Sequence, residues 1–218
     1  MLSLHIFGSI SLESRQSPFR VFILHSESGE EYSCRRLILA CGTKAKRLDI
    51  QCDAPEVINN VFSEVFPILQ VKDKHIAIVG AGDAAFDYAM SLSGKNKVTI
   101  LYHGSRRNCH PRLWQTTSSI PAILYKENIV IEGVPRFPVS RLILRCRQKG
   151  ELIDLEADYL LTAIGREPDM DLFSPDLCAR QEELVRDGRL FLVGDIHQVF
   201  SDKPLSLLVM ESRQLCEY

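Results

Sequence analysis

The sequence predicts an α/β fold, on three observations. A short apolar strand, Ile76–Val79, runs into Gly80-Ala81-Gly82-Asp83-Ala84-Ala85 and on into a run with helical spacing. A second apolar strand, Val98–Tyr102, follows after a helix-sized interval. Further short apolar strands recur as far as Asp195, with turn residues between them. Strand, helix and strand in that order make a βαβ unit, and with it a parallel sheet.

Taken in order, residues 1–43 read as β. Ile10, Leu12 and Glu13 lie in one alternating stretch and Phe19–Leu24 in a second, with a turn over Ser26–Glu30. Tyr32–Ala40 closes a meander and runs into Cys41-Gly42-Thr43, a strand end with a Gly-mediated close approach or an ordinary terminus. Residues 44–60 form a connector. Apolar residues at 61, 62, 65, 66, 68 and 69 predict a short helix, with Pro67 kinking or bounding it. The helix after Gly82 presents Ala85, Ala89 and Leu92 on one row, with Phe86 and Met90 beside it, and ends at Ser93–Asn96 with Gly94 in the usual C-terminal place.

Pro111–Gln115 reads as a helix start with Pro in the first turn. Asn128–Ile131 is a short strand. Arg141–Cys146 and Leu152–Leu155 form a hairpin around Gln148–Gly150. Tyr159–Gly165 and Arg189–Asp195 are buried strands, each ending in Gly. No internal repeat or low-complexity segment is visible.

The chemistry concentrates at the first turn. Gly80, Gly82 and Ala85 form G-x-G-x-x-A between a strand and a helix, the dinucleotide-binding form of the βα turn. Gly80 permits the tight turn, Gly82 lets the backbone approach a pyrophosphate, and Ala85 lets helix and strand pack closely. Phosphates then rest on the N–H groups opening the helix, around Asp83 and Ala84, where the helix dipole favours them. An acidic residue about 20 positions on would select NAD. From Val98 to Arg107 there is none. Tyr102-His103-Gly104-Ser105-Arg106-Arg107 stands there instead, and arginine suits a 2′-phosphate through planar, charge-assisted hydrogen bonds. NADP is therefore favoured and NAD left open, as is the plainer reading of two arginines in a solvated loop. His103 and His110 are read as polar loop residues, with phosphate contacts as the alternative; with Cys109 between them they make no zinc ligand set, and no metal site is predicted. Trp114 is read as a packing residue, and Glu30-Glu31 as solvent-facing.

Composition bounds the rest. The chain has 218 residues and a net charge of −2, which gives no electrostatic case for nucleic acid or an anionic membrane as partner. Its seven cysteines include no C-x-x-C pair, which fits reduced thiols and a cytoplasmic setting. No apolar run is long enough to span a bilayer, and the start has no secretory pattern.

Four blocks together resemble the pyridine-nucleotide-dependent flavoprotein oxidoreductases of the thioredoxin-reductase-like branch. Leu37–Thr43 resembles the family's A-T-G strand end, with Cys41 for Thr; Ile78–Ala85 its NAD(P)H fingerprint; Ala163–Pro168 its A-I-G-R-x-P segment; and Leu190–Asp195 its flavin-contacting G-D strand. The resemblance implies a Rossmann-like NAD(P)-binding domain at 46–175, flanked by parts of an FAD-binding domain at 1–45 (the end of its β meander) and 176–218 (its return strand and a divergent tail). It implies hydride transfer from NADPH or NADH to FAD and on to an unidentified acceptor, with a homodimer or an electron-acceptor protein as partner. Gly165 would line the nicotinamide side. Cys41, Gly42, Gly194 and Asp195 would lie along the flavin, with Asp195 bonded to its ribityl–pyrophosphate region.

The chain departs from the family in three places. It lacks the C-x-x-C of thioredoxin reductases. The family's first G-x-G-x-x-G, which binds the ADP half of FAD, would fall before residue 1, so FAD binding by this chain alone is in doubt and a non-catalytic NAD(P)-binding remnant is the alternative. The tail also diverges. Ser201–Glu211, back-translated with permitted codons and read from the third base, gives Arg-Gln-Thr-Ala-Ile-Ala-Val-Gly-Asp-Gly, close to the family's last helix. The expectation is a shifted reading frame there.

Overall fold

The computed structural model describes residues 7–13, 20–49, 51–52, 59–135 and 141–196, so Phe19 and the Ser201–Glu211 tail lie outside the described residues. The chain divides into two units, one of residues 45–166 and one of residues 1–44 with 167–218. The segments that link them, β5 (Thr43–Ala45) and β15 (Arg166–Pro168), pair with each other.

The middle unit is built on a parallel sheet of β7 (Val61–Phe62), β8 (His75–Val79), β9 (Lys97–Leu101), β10 (Ile123–Lys126) and β14 (Tyr159–Thr162), in the order β10-β9-β8-β14-β7. Both faces of this sheet are covered. Ile76, Ile78, Val98, Ile100 and Leu161 pack with Ala85, Phe86, Ala89 and Leu92 of helix α1 (Asp83–Ser93). Ala77, Leu101 and Leu160 point the other way, into a core with Leu142, Leu144, Cys146 and Ala157. Strands buried on both faces read as unbroken apolar runs, which is why they were legible without an alternating pattern. The second core belongs to a four-stranded sheet, β13-β12-β11-β6, of β6 (Gln51–Cys52), β11 (Ile129–Val134), β12 (Leu142–Gln148) and β13 (Glu151–Ala157). Its expected hairpin turns over Lys149-Gly150, both at positive φ (52° and 90°) with Gln148 opposite Glu151, the two-residue turn that matches strand twist.

In the other unit, β1 (Phe7–Glu13), β2 (Val21–Ser26) and β3 (Glu31–Cys34) form an antiparallel meander. Beside this meander in sequence, β4 (Leu37–Leu39) pairs in parallel with β16 (Leu190–Leu192). Ile10, Leu12, Phe22, Leu37, Leu39 and Leu190 share a core with Leu177 and Leu184. The last two come from helices α3 (Pro175–Ala179) and α4 (Gln181–Arg186).

Several expectations are corrected. The helix expected over 61–69 is a strand, Val61–Phe62, followed by a single 3₁₀ turn, Phe66–Ile68, with Pro67 in it. Val61 and Phe62 pair with Leu160 and Leu161, and that edge of the sheet outweighs the apolar spacing. Tyr32–Ala40 is two strands broken at Arg35-Arg36, because Leu37–Leu39 leaves the meander for β16. The strand expected to reach Gly165 ends at Thr162. Gly94 does sit at the helix end, but at φ −62°, in a right-handed rather than left-handed cap. The connector over 44–60 includes strand residues in β5 and β6, and β10, α3 and α4 are additional elements.

Burial pushes the Cys146 thiol up to about 11. The folded state therefore holds the proton to higher pH than an unfolded thiol near 8.5, so this contribution to stability is complete below that range and is lost as pH rises through about 11. In a thiol titration of native protein at pH 8, Cys146 should stay unmodified until denaturant is added, while exposed Cys178 reacts at once.

Candidate functional site

Strand β8 delivers the chain to Gly80 under tight constraint. The Gly80 N–H donates to the Leu101 carbonyl (3.0 Å) and the Ala163 N–H to the Val79 carbonyl (2.7 Å), so the ends of β8, β9 and β14 are tied together. Gly80 has φ +131°, and a Cβ there would sit 2.1 Å from the Ala163 carbonyl oxygen. No other residue fits both the dihedral and the space. Two residues on, Gly82 is the N-cap of α1, at φ −87° and ψ 177°, and a Cβ on it would meet nothing closer than the Asn108 carbonyl at 3.9 Å. The space over Gly82 is therefore open. Ala85 is fully buried, and its N–H donates to the Gly82 carbonyl (3.0 Å). Asp83 and Ala84 are exposed in the first turn, where helical N–H groups lack a carbonyl four residues back.

The loop after β9 folds back onto this turn. Asn108 N–H donates to the Ala81 carbonyl (2.9 Å), and His110 N–H donates to Asp83 Oδ1 (2.6 Å). His110 in turn caps helix α2 (Pro111–Ser118), its Nδ1 accepting from Arg112 N–H at 3.3 Å. One carboxylate thus joins the start of α1 to the start of α2. Tyr102 and His103 lie with ring centres 4.8 Å apart, and Gly104 fits against the Tyr102 ring, where a Cβ would come within 2.8 Å. Arg106 and Arg107 are both exposed. They differ in their contacts: Arg107 carries its guanidinium 4.0 Å from the centre of the Trp114 ring, while no described residue pairs with Arg106. Trp114 packs edge-to-face on Phe86 (5.9 Å) and Tyr125 (5.3 Å), as a packing residue should, and also bears that cation. The Tyr125 hydroxyl is buried without a hydrogen-bond partner among the described residues, and burial raises its pKa.

In the other unit, parallel pairing of β4 and β16 brings their C-terminal ends to the same side. Val193 N–H donates to the Leu39 carbonyl (2.9 Å), so Cys41-Gly42 and Gly194-Asp195 leave the sheet at one end. Cys41 Sγ–H donates to the Asp169 carbonyl (3.3 Å), and burial raises its thiol pKa. Gly194 and Asp195 are exposed. Gly165 belongs to the middle unit, at φ +101° just before β15, its carbonyl accepting from Lys46 N–H (3.0 Å). Among the described residues, no cluster of His, Cys, Asp and Glu could hold a metal ion, and no helix is long and apolar enough to cross a membrane.

Sequence reasoning located the Gly turn but missed what holds it: the Ala163 carbonyl, Asn108 and the Asp83–His110 bond. Of these, only the helix-start pattern His110-Pro111 was visible in the sequence.

A βα turn of this form on a parallel sheet defines a dinucleotide-binding α/β protein. The chain belongs to the Pyridine nucleotide-disulphide oxidoreductase family, whose pattern matches residues 10–201. Members of this family bind FAD and NADPH. Among curated relatives, the Ferredoxin--NADP reductase of Streptococcus equi is 27% identical over 150 residues, covering 66% of this chain and 45% of that protein. The Thioredoxin reductase of Spironucleus barkhanus is 25% identical over 160 residues, covering 72% and 52%. The chain thus spans about half the length of these relatives. The thioredoxin reductase of Lactococcus lactis shares the fold, with a TM-score of 0.69 at 15% identity over 92% of this chain and 67% of that one.

The geometry separates the two glycines. Gly80→Ala should lower unfolding free energy by about 1–3 kcal/mol, through overpacking against backbone. Gly82→Ala, with open space above it, should cost no more than about 1 kcal/mol, as an N-cap replacement. Urea titration of the two variants measures the difference.

Proposed function

We propose that this chain binds NADPH in its middle unit and serves as the nicotinamide-binding part of an NAD(P)H-dependent flavin oxidoreductase. The observation that carries this reading is the open space above Gly82 at the start of α1, beside a turn that only Gly80 can make. A pyrophosphate laid there meets first-turn N–H groups and the positive end of the helix dipole. Gly82, Asp83 and Ala84 supply backbone, and Ala85 keeps the helix close. Tyr102 and the arginines flank the adenosine end. Arg106 and Arg107 offer guanidinium donors to a 2′-phosphate, which favours NADP over NAD.

For the flavin, Cys41, Gly42, Gly194 and Asp195 at the shared end of β4 and β16 are the residues that would lie along it, and Gly165 would line the nicotinamide. FAD, when bound, accepts the hydride and passes electrons on. Asp195, exposed three residues past the end of β16, can accept a hydrogen bond from a ribityl hydroxyl. The ADP half of FAD needs a second Gly-rich turn, and the single G-x-G-x-x-A in these residues is the one at Gly80. The acceptor is unidentified; the partner is an electron-acceptor protein or a second copy of this chain in a homodimer. The free thiols fit the reducing cytoplasm. A second reading is NAD(P) binding without catalysis.

Calorimetric titration tests the cofactor. NADPH should bind more tightly than NADH, and Arg106→Ala with Arg107→Ala should weaken NADPH about ten- to hundredfold, the worth of charged hydrogen bonds, while sparing NADH. Equal affinities, unmoved by the change, would remove the 2′-phosphate role. Protein that stays colourless after incubation with FAD leaves the binding reading alone standing.

A further inference from the structure

We infer that Trp114 is a positioning residue that sets the preference for NADP over NAD, by holding Arg107 ready for the 2′-phosphate. The inference rests on the cofactor reading above and adds a residue to it. An arginine in an exposed loop samples many rotamers and loses that freedom when it grips a ligand. Arg107 is already restrained, with its guanidinium 4.0 Å from the Trp114 ring centre. Stacking engages the face of the guanidinium. The N–H donors lie in its plane, so the edge stays available for a bidentate grip on phosphate oxygens. The ring therefore orients the cation without engaging its N–H donors, and the Cys109 sulfur accepts from the same guanidinium.

The platform is itself rigid. Phe86 meets Trp114 edge-to-face at an interplanar angle of 82° and Tyr125 does so at 77°. These rings come from α1, α2 and β10, so the stack is anchored on three elements. Phe86 is fully buried and lies one turn into the helix whose first residues face the pyrophosphate. One packed column thus links the pyrophosphate turn to the guanidinium. Arg106, next in the chain, has no such support among the described residues, which assigns the specificity to Arg107.

The test is calorimetric titration of the full chain with NADP⁺ and NAD⁺. Trp114→Leu keeps apolar bulk without an aromatic face, and Trp114→Phe keeps a face. Trp114→Leu should weaken NADP⁺ about two- to fivefold, the worth of an exposed cation–π contact, and leave NAD⁺ unchanged. Trp114→Phe should restore most of the loss. Trp114 is the single tryptophan of the chain, so its fluorescence in the wild type should also respond to NADP⁺ more than to NAD⁺. If Trp114→Leu weakens both cofactors alike, or leaves the ratio between them unchanged, the positioning role is overturned. Wild-type protein that binds neither cofactor overturns instead the reading on which it rests.

Discussion

The passage of the chain at Gly80 beneath the Ala163 carbonyl governs the rest of the middle unit. A Cβ would stand 2.1 Å from that oxygen, so the ends of β8 and β14 can approach only because residue 80 has no side chain. The hydrogen bonds from Gly80 to Leu101 and from Ala163 to Val79 then tie three strand ends together. From that fixed point the chain reaches Gly82 in two residues and starts α1. The position of the helix N-terminus, and of any phosphate resting on it, follows from the strand ends rather than from the loop.

The second constraint is the return of the loop after β9. Asn108 bonds to Ala81, and the Asp83 carboxylate accepts from His110 N–H. Asp83 thereby ties the N-terminal ends of two helices together. The aromatic column Phe86–Trp114–Tyr125 repeats that link lower down, through packing instead of hydrogen bonds. The Tyr125 hydroxyl is buried beside these rings with no hydrogen-bond partner among the described residues.

Much of this was legible in the sequence for definite reasons. The parallel strands Ile76–Val79 and Val98–Leu101 are covered on both faces and so stand out as apolar runs. The Gly turn shows itself because its chemistry excludes side chains. The segment 61–69 misled because its apolar spacing fits a helix, while pairing of Val61 and Phe62 with β14 decided the outcome. Helices α3 and α4 went unread although Ser174, whose side chain caps Leu177 N–H, and Pro175 form a helix start. Those helices are five and six residues long, too short for periodicity to register. The stacking of Arg107 on Trp114 spans seven residues across a loop, and no local pattern encodes it. The family resemblance supplied the flavin-side residues, which neither spacing nor composition would have marked.

The central claim is that a dinucleotide rests on the turn at Gly80–Ala85. It is tested most directly by following backbone amide resonances of isotopically labelled protein during addition of NADP⁺. The account predicts that the amides of Gly82, Asp83, Ala84 and Ala85 shift most, together with those of the loop from Tyr102 to Asn108. Shifts confined to other parts of the chain, with these amides unmoved at saturating NADP⁺, would contradict it.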